Sequence, residues 1–164
     1  MDPQTVLSAF DEQVRRSLET SVVHQMIEQD SSVIRLKPTG PGWAGVIWSD
    51  LRPDGSDADA VIAAEIDRFA DLGRPWEWKL YSYDQPSDLG DRLTAAGFFV
   101  ADPAEAVLAA EISELDLDAN LPAQVQLVDV IDPSGVAAVV AVHDAVFGGD
   151  HSDLGPTLLA ALKE

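Results

Sequence analysis

The chain has 164 residues, 46% of them apolar and 24% charged, and its 29 acidic and 10 basic residues give a formal net charge of −19. This composition supplies a hydrophobic core and excludes wholesale disorder. The negative charge disfavours nucleic acids and anionic membranes as partners, because both bind basic side chains. The sequence contains no cysteine, which excludes thiol catalysis, disulfides and cysteine-bound zinc. No apolar run reaches the roughly 20 residues of a membrane helix, and a soluble, cytoplasmic protein is predicted.

The N-terminal part predicts one long helix and a β-hairpin. Apolar residues recur at intervals of three or four over residues 3–29, the spacing of one face of an amphipathic helix. Residues 33–37 alternate as a strand, residues 39–42 form a turn rich in glycine and proline, and residues 44–51 return as a second strand. The apolar face of the helix is therefore assigned to core packing.

The middle of the chain predicts a helix and then a strand. Ser56 or Asp57 can cap this helix, and Gly73 supplies its stop signal. Its inward face is predicted to consist of Ile62, Ile66, Phe69 and Ala70. Residues 76–83 alternate apolar and polar side chains, which predicts a strand at the centre of the sheet. The polar face of that strand carries Glu77, Lys79, Tyr81 and Tyr83. These side chains either bind an amine or pair with neighbouring strands.

A short helix and two further strands complete the first half. Asp88 caps the helix and Gly97 closes it. Residues 98–100 and 106–112 are predicted as strands. This order of elements predicts an α/β (α+β) fold, with a mixed, mostly antiparallel sheet flanked by helices.

The charge pattern divides the chain into two domains. Lys163 is the only basic residue after Arg92, and the acidic residues 113–123 have the composition of an exposed linker. They separate a first domain, residues 1–112, from an incomplete β-α-α unit, residues 124–164. The predicted elements of this unit are a strand at 125–130 and helices at 133–147 and 154–162. Its first helix is so apolar that about 40 residues cannot bury it alone, so it packs on the first domain or belongs to a larger unit.

The three histidines, His24, His143 and His151, do not predict a metal site. No two of them have the spacing of four residues that places two ligands on one helical face. His143 and Asp144 are adjacent on a helix and point about 100° apart, so they are not expected to form a general-base pair.

Residues 150–153, Asp-His-Ser-Asp, lie in a predicted loop where polar side chains can converge on a ligand. Capping of the following helix by Ser152 or Asp153 explains the same pattern. Both interpretations stay open on the sequence alone.

Part of the chain resembles a known enzyme family. The strand at residues 76–84 and the helix of residues 88–98, which ends in Ala96-Gly97-Phe98, lead into a hairpin that ends at Ile112. This segment resembles the second half of a GNAT-type N-acetyltransferase, and the likeness covers most of residues 3–112. Residues 125–162 resemble the opening strand and two helices of a second domain of the same kind. The resemblance implies the front of a tandem acetyltransferase with a degenerate first domain.

The motifs that this family uses for catalysis are missing from the first domain. Its coenzyme A loop, Arg or Gln followed by x-x-Gly-x-Gly or Ala, directs backbone amides at the pyrophosphate. Residues 52–59 stand there with one glycine and three aspartates, which would repel it. The tyrosine that often acts as general acid falls on Leu93. No cofactor-binding residue is therefore assigned in this chain, and the catalytic residues are unknown.

The resemblance implies that catalysis belongs to the second domain, with acetyl-CoA as cosubstrate, no metal, and a coenzyme loop beyond Glu164. The acceptor is expected to be the amine of a small molecule or peptide. Phe147, His151 and Asp153 are candidates for acceptor contacts, because they correspond to the helix-connecting loop of such enzymes. The alternative is a non-catalytic module that binds a partner or forms a homodimer through the apolar helix. The acidic surface also leaves open the binding of cationic ligands.

Overall fold

The computed structural model of the protein describes residues 2–17, 25–39, 43–101, 104–115 and 121–162. Over these ranges the chain forms a four-stranded mixed sheet and five α-helices, which makes it an α+β protein. Within the same ranges, no helix has both the length and the apolar character that a membrane span requires. The predicted α+β class with a mixed sheet is confirmed.

The sheet has the strand order β1 (Gln25–Gln29), β2 (Val33–Pro38), β3 (Gly45–Ser49) and β4 (Glu77–Trp78). The first three strands pair antiparallel, and β4 joins β3 in parallel. The hairpin of β2 and β3 lies where the sequence predicts it. Residues 40–42 of its predicted turn lie outside the described residues.

The predicted N-terminal helix is wrong in its second half. The helix α1 spans Pro3–Phe10 and continues as one π-helical turn over Asp11–Arg15. Residues 18–24 lie outside the described residues, and Gln25–Gln29 is a strand rather than the end of the helix. A five-residue window with two apolar residues does not distinguish helical spacing from a strand, so tertiary pairing decides its structure.

The turn at Asp30 explains why β1 forms. The carboxylate of Asp30 accepts hydrogen bonds from the backbone amides of Ser32 and Val33, at 2.9 and 3.1 Å. This Asx turn reverses the chain and sets the register that brings Ile27 opposite Leu36. Strand β1 therefore adds a third antiparallel strand to the hairpin of β2 and β3.

The helix α2 (Ala58–Phe69) connects β3 to β4, as a parallel pair requires. A 3₁₀ turn follows it and ends at Gly73, whose φ of 69° confirms the predicted stop. The Asp57 side chain does not cap α2 but accepts a hydrogen bond from the amide of Arg52, at 3.0 Å. Ile62 and Phe69 are buried and Ile66 packs on them, as predicted, whereas Ala70 is exposed.

The predicted central strand at residues 76–83 is wrong in length and place. Only Glu77–Trp78 pairs with β3, and this strand lies at the edge of the sheet among the described strands. The chain turns away because the Asp84 carboxylate accepts a hydrogen bond from the amide of Tyr81, and the Tyr81 carbonyl accepts one from the amide of Asp84. These local bonds compete with a longer strand.

The helix α3 spans Leu89–Ala95, and Gly97, with a φ of 100°, ends it as predicted. The strands predicted at residues 98–100, 106–112 and 125–130 are wrong, because these described residues are not part of any strand. Apart from Phe98, which packs against the core, their large apolar side chains are exposed, with Phe99 89%, Leu108 91% and Leu127 86% accessible. A strand of two residues at the sheet edge offers almost no hydrogen-bonding ladder for them to extend.

The core lies between the sheet and the helices α2 and α3. Its buried members are Val33, Ala44, Val46, Leu51, Ala58, Ile62, Phe69, Trp78, Leu89 and Leu93. A buried ion pair between Arg35 of β2 and Glu65 of α2 fixes the helix on the sheet. Phe69 stacks on Trp76, whose ring meets the edge of Phe98. All of these residues belong to the first predicted domain.

The last two helices form a pair of their own, α4 (Pro133–Phe147) and α5 (Leu154–Ala161), as predicted. The Asp132 carboxylate caps α4 by accepting a hydrogen bond from the amide of Gly135, at 2.8 Å. Gly148, at a φ of 72°, ends it. Val136 is buried, whereas Val142, Val146 and Phe147 are more than half exposed.

Candidate functional site

The loop between α4 and α5 brings two of the three predicted site residues together. Phe147 ends α4, and His151 lies three residues beyond the break at Gly148. The ring of His143 stands between them, with its centroid 4.5 Å from that of Phe147 and 4.3 Å from that of His151. The third residue, Asp153, is exposed and does not join this group.

The cap predicted for α5 takes another form. The side chain of Asp153 stands at the N-cap without a capping hydrogen bond. The backbone carbonyls of His151 and Ser152 accept instead from the amides of Leu154 and Gly155. The side chain of Asp153 is therefore left at the surface beside the loop.

Asp144 is the partner of His151, and the sequence did not predict this pairing. Oδ1 of Asp144 lies 2.8 Å from the amide nitrogen of His151 and 2.9 Å from its Nδ1. Gly148 and Gly149 have φ values of 72° and 90°, a region that favours glycine, and they fold the loop back onto α4. The glycine pair between the predicted helices was the available signal, since it can reverse the chain within a few residues.

His143, Asp144 and His151 therefore form a compact group of two imidazoles and a carboxylate. One potential ligand atom from each lies within 4.8 Å of the others, and all three side chains are half-buried. Nδ1 of His143 is buried and has no hydrogen-bond partner among the described residues. This group, called the His143 cluster below, can hold a proton or a cation.

A second polar centre lies around Arg15, whose Nε donates to the carbonyl of Ile47 in β3 at 3.3 Å. Nη1 and Nη2 of Arg15 donate to the two carboxylate oxygens of Asp84 at 2.8 and 2.9 Å, and Nη1 also donates to Asp11 at 3.0 Å. The side chains of Arg15 and Asp84 are 3% and 4% exposed. Burial alone would lower the pKa of Arg15, but the hydrogen bonds and charge of Asp84, with Asp11, raise it above its ordinary value. Arg15 is thus a permanent cation held by two carboxylates.

Tyr83 joins this centre through its hydroxyl, which donates to Asp11 at 2.8 Å. Burial and this hydrogen bond raise the pKa of Tyr83 to about 12, against the opposing influence of Arg15. The Arg15 guanidinium also lies 4.1 Å from the ring centroid of Tyr81. The two tyrosines that the sequence assigned to a possible amine site therefore surround an arginine of this chain, and Glu77 pairs with Lys79 at 2.9 Å.

A cleft of about 400 Å³ opens beside Arg15. Its lining includes Asp11, Glu12, Arg16, Trp48, Asp50 and Tyr83. The guanidinium of Arg16 stacks 4.8 Å from the Trp48 ring. Arg15 is committed to the two carboxylates, so it is not available to pair with a phosphate entering this cleft.

The start of α2 is the third place of interest, because helix N-termini bind anions through free amides. Here the chain's own oxygens accept hydrogen bonds from the amides of Arg52, Gly55, Ser56 and Ala58. Asp54 Oδ1 accepts from the amide of Ser56 at 3.0 Å, and the carbonyl of Gly55 accepts from that of Ala58. The hydrogen bond to Ser56 lowers the pKa of Asp54, so its negative charge persists at neutral pH.

Arg92 of α3 also pairs with acidic side chains near the start of α2. It donates to Asp59 at 2.9 Å and to Asp88 at 3.0 Å. A Cβ added at Gly55 would lie 2.8 Å from Nη2 of Arg92, so the guanidinium covers the loop. The loop at residues 52–59 is thus self-paired.

Comparison of the chain with protein-family models, with curated proteins and with solved structures finds no match in any of the three.

Proposed function

We propose that the chain is the N-terminal portion of an acetyl-CoA-dependent N-acetyltransferase of the GNAT type, and that its first domain does not bind the cofactor. The order of elements supports this: a helix, an antiparallel three-stranded unit, a crossover helix, a parallel strand and a short helix ending in Gly97-Phe98. In α/β sheets, ligands bind beyond the carboxyl ends of the strands.

The observation that carries the proposal is the self-pairing of residues 52–59. In the family motif, glycines leave the helix amides free for a pyrophosphate, whereas in this chain Asp54 and Asp57 accept hydrogen bonds from amides within the loop. The fourth acidic group at this position, Asp88, shares Arg92 with Asp59. An incoming pyrophosphate would have to displace these bonds against like charge.

A triple variant tests whether this loop is a degenerate coenzyme loop. Asp57→Gly turns residues 52–57 into Arg-x-x-Gly-x-Gly, the family motif, and Asp54→Asn with Asp59→Asn removes the other two negative charges of the loop. Isothermal titration with acetyl-CoA is expected to give no heat for the unmodified chain and saturable heat for the triple variant. Asp67→Asn with Asp71→Asn, which changes charge elsewhere on the same segment, serves as the matched control.

Two outcomes would contradict the proposal. Micromolar binding of acetyl-CoA to the unmodified chain would mean that its first domain holds a phosphate site without the family loop. A folded triple variant that still fails to bind would remove the reason to regard residues 52–59 as a former coenzyme loop.

A second candidate function is a non-catalytic module that binds a partner or dimerises. The specific observation in its favour is the set of exposed large apolar side chains after α3: Phe99, Val100, Leu108, Ile112, Leu127, Val128 and Ile131. Such surface is typical of an interface. Light scattering over a range of protein concentrations tests it, since a strictly monomeric chain at high concentration contradicts self-association.

A further inference from the structure

We propose that the His143 cluster binds a divalent transition-metal ion of the zinc type, with His143, Asp144 and His151 as its protein ligands. This goes beyond the acetyltransferase proposal and does not depend on it. It also revises the expectation from sequence spacing that no metal is bound. That spacing considers ligands on one helix, whereas the structure brings His151 back onto α4 from beyond the glycine pair.

The donor set fits such an ion. Two imidazoles and one carboxylate, with a further position left for water or another ligand, are a common arrangement of protein zinc sites. Imidazole favours zinc, copper and nickel, whereas magnesium and calcium prefer oxygen ligands. Asp144 and His151 are 34% and 30% exposed at the side chain, so an ion can reach them from solvent.

The buried Nδ1 of His143 is the independent observation that points to a ligand. A buried polar atom without a partner is costly, and an ion is one of the few ways to satisfy it. The His143 ring is held between the rings of Phe147 and His151, so its position is fixed by packing.

Asp144 and His151 already lie at a distance that an ion can bridge. Oδ1 of Asp144 lies 2.9 Å from Nδ1 of His151, so an ion bound here would take Nδ1 as its imidazole ligand and replace the hydrogen bond between the two side chains. The backbone amide of His151 donates to the same oxygen and keeps the loop on α4. Oδ2 of Asp144 takes part in neither bond.

The ligand atoms would have to move only a little to reach the spacing that a bound zinc ion requires. Ligand atoms around a tetrahedral zinc lie about 3.4 Å apart when the bonds are about 2.1 Å long. The three ligand atoms already lie within 4.8 Å of one another, so side-chain movements of roughly 1 Å would bring them to that spacing. The chain's net charge of −19 raises the local concentration of cations.

The experiment is a titration of the full, tag-free chain, stripped with a chelator, with zinc chloride against a chromophoric chelator. We expect one zinc ion per chain with a dissociation constant in the micromolar range or below. His143→Gln, His151→Gln and Asp144→Asn should each weaken binding by about 10-fold or more. Asp91→Asn in α3 is the matched control for Asp144→Asn, since it removes one exposed acidic group that is not part of the cluster, and it should leave affinity within about 2-fold.

Imidazole NMR of the unmodified chain gives a second readout that does not depend on variant folding. Zinc should shift the ring resonances of His143 and His151. Magnesium at the same concentration should shift none of them. The proposal is overturned if zinc binds to His143→Gln and His151→Gln as well as to the unmodified chain, if Asp91→Asn loses binding, or if magnesium competes as well as zinc.

Discussion

Arg15 is a residue whose charge is tied to one buried carboxylate, Asp84, and one partly exposed carboxylate, Asp11. Arg15→Met leaves Asp84 buried without its counterion, so we expect the free energy of unfolding to fall by roughly 3–5 kcal/mol. Urea unfolding followed by circular dichroism measures this. Arg16→Met is the matched control, since Arg16 is exposed and stacks on Trp48, an interaction worth about 1 kcal/mol or less.

A double variant separates buried charge from lost packing. Arg15→Met combined with Asp84→Asn leaves no uncompensated buried charge and should recover part of the lost stability. Equal stability of Arg15→Met and Arg16→Met would contradict the view that this centre is a buried ion pair.

The stability of the folded chain should depend on pH through Tyr83, and the surroundings of Tyr83 set the direction of this dependence. Its pKa in the folded chain is about 12, above the ordinary value of 10.0, because of burial and its hydrogen bond to Asp11. The neutral phenol is therefore favoured by folding. This contribution to stability is complete below pH 10 and is lost as the pH rises from 10 through 12.

Phenolate absorbance measures the titration of Tyr83 directly, because the chain has only two tyrosines. Tyr83→Phe should remove the phase near pH 12, and Tyr81→Phe should retain it. Persistence of that phase in Tyr83→Phe would show that the hydrogen bond to Asp11 does not control this titration.

At the scale of elements, the pairing of β3 with β4 depends on Gly45. A Cβ at this position would collide with the carbonyl oxygen of Glu77 and with the Trp43 ring. A backbone oxygen cannot move aside as the end of a flexible side chain can, so Gly45→Ala should lower the free energy of unfolding by about 1–3 kcal/mol. Gly155→Ala in α5, where nothing lies within 4 Å of the added Cβ, is the control. Unfolding curves of the two variants that coincide would contradict the close approach.

The sequence predicts an element correctly when the residues that determine it lie within the element itself. The helices α2, α3 and α4 carry their own signals, such as Asp132 at a cap and Gly73 at a stop, and they form where predicted. The strand β1 requires a partner that spacing does not reveal, and the predicted strands after Gly97 have no long sheet edge to join. The spacing of apolar residues indicates which face of a segment is buried, but it does not indicate which strand or helix the segment packs against.

The same limit applies to the candidate site. Phe147 and His151 were named from the resemblance, because they correspond to the loop that connects two helices in that family. Asp144 and His143 were missed, because residues seven and eight positions before His151 become neighbours only when the loop folds back. Asp153, predicted with the others, is exposed and is not part of the His143 cluster, since position within a loop does not fix which side chains come together.

At the scale of the whole molecule, stability should be unevenly distributed. The core is built from residues 33–98, whereas residues 104–111 and 124–131 lie outside helices and strands with their apolar side chains exposed. Amide hydrogens exchange from locally open states, whose free energy rises with burial and backbone pairing. Protection should therefore be highest in β2, β3 and α2, intermediate in α4 and α5, and lowest in the two exposed segments.

Hydrogen exchange read by mass spectrometry tests this distribution and the second candidate function together. In dilute solution the two exposed segments should exchange within seconds. If they form an interface between copies of the chain, their protection rises with protein concentration while that of β2 and β3 stays constant, because association adds free energy only where surface is buried. Strong, concentration-independent protection of residues 124–131 would contradict the exposed arrangement and would place them in an intramolecular sheet.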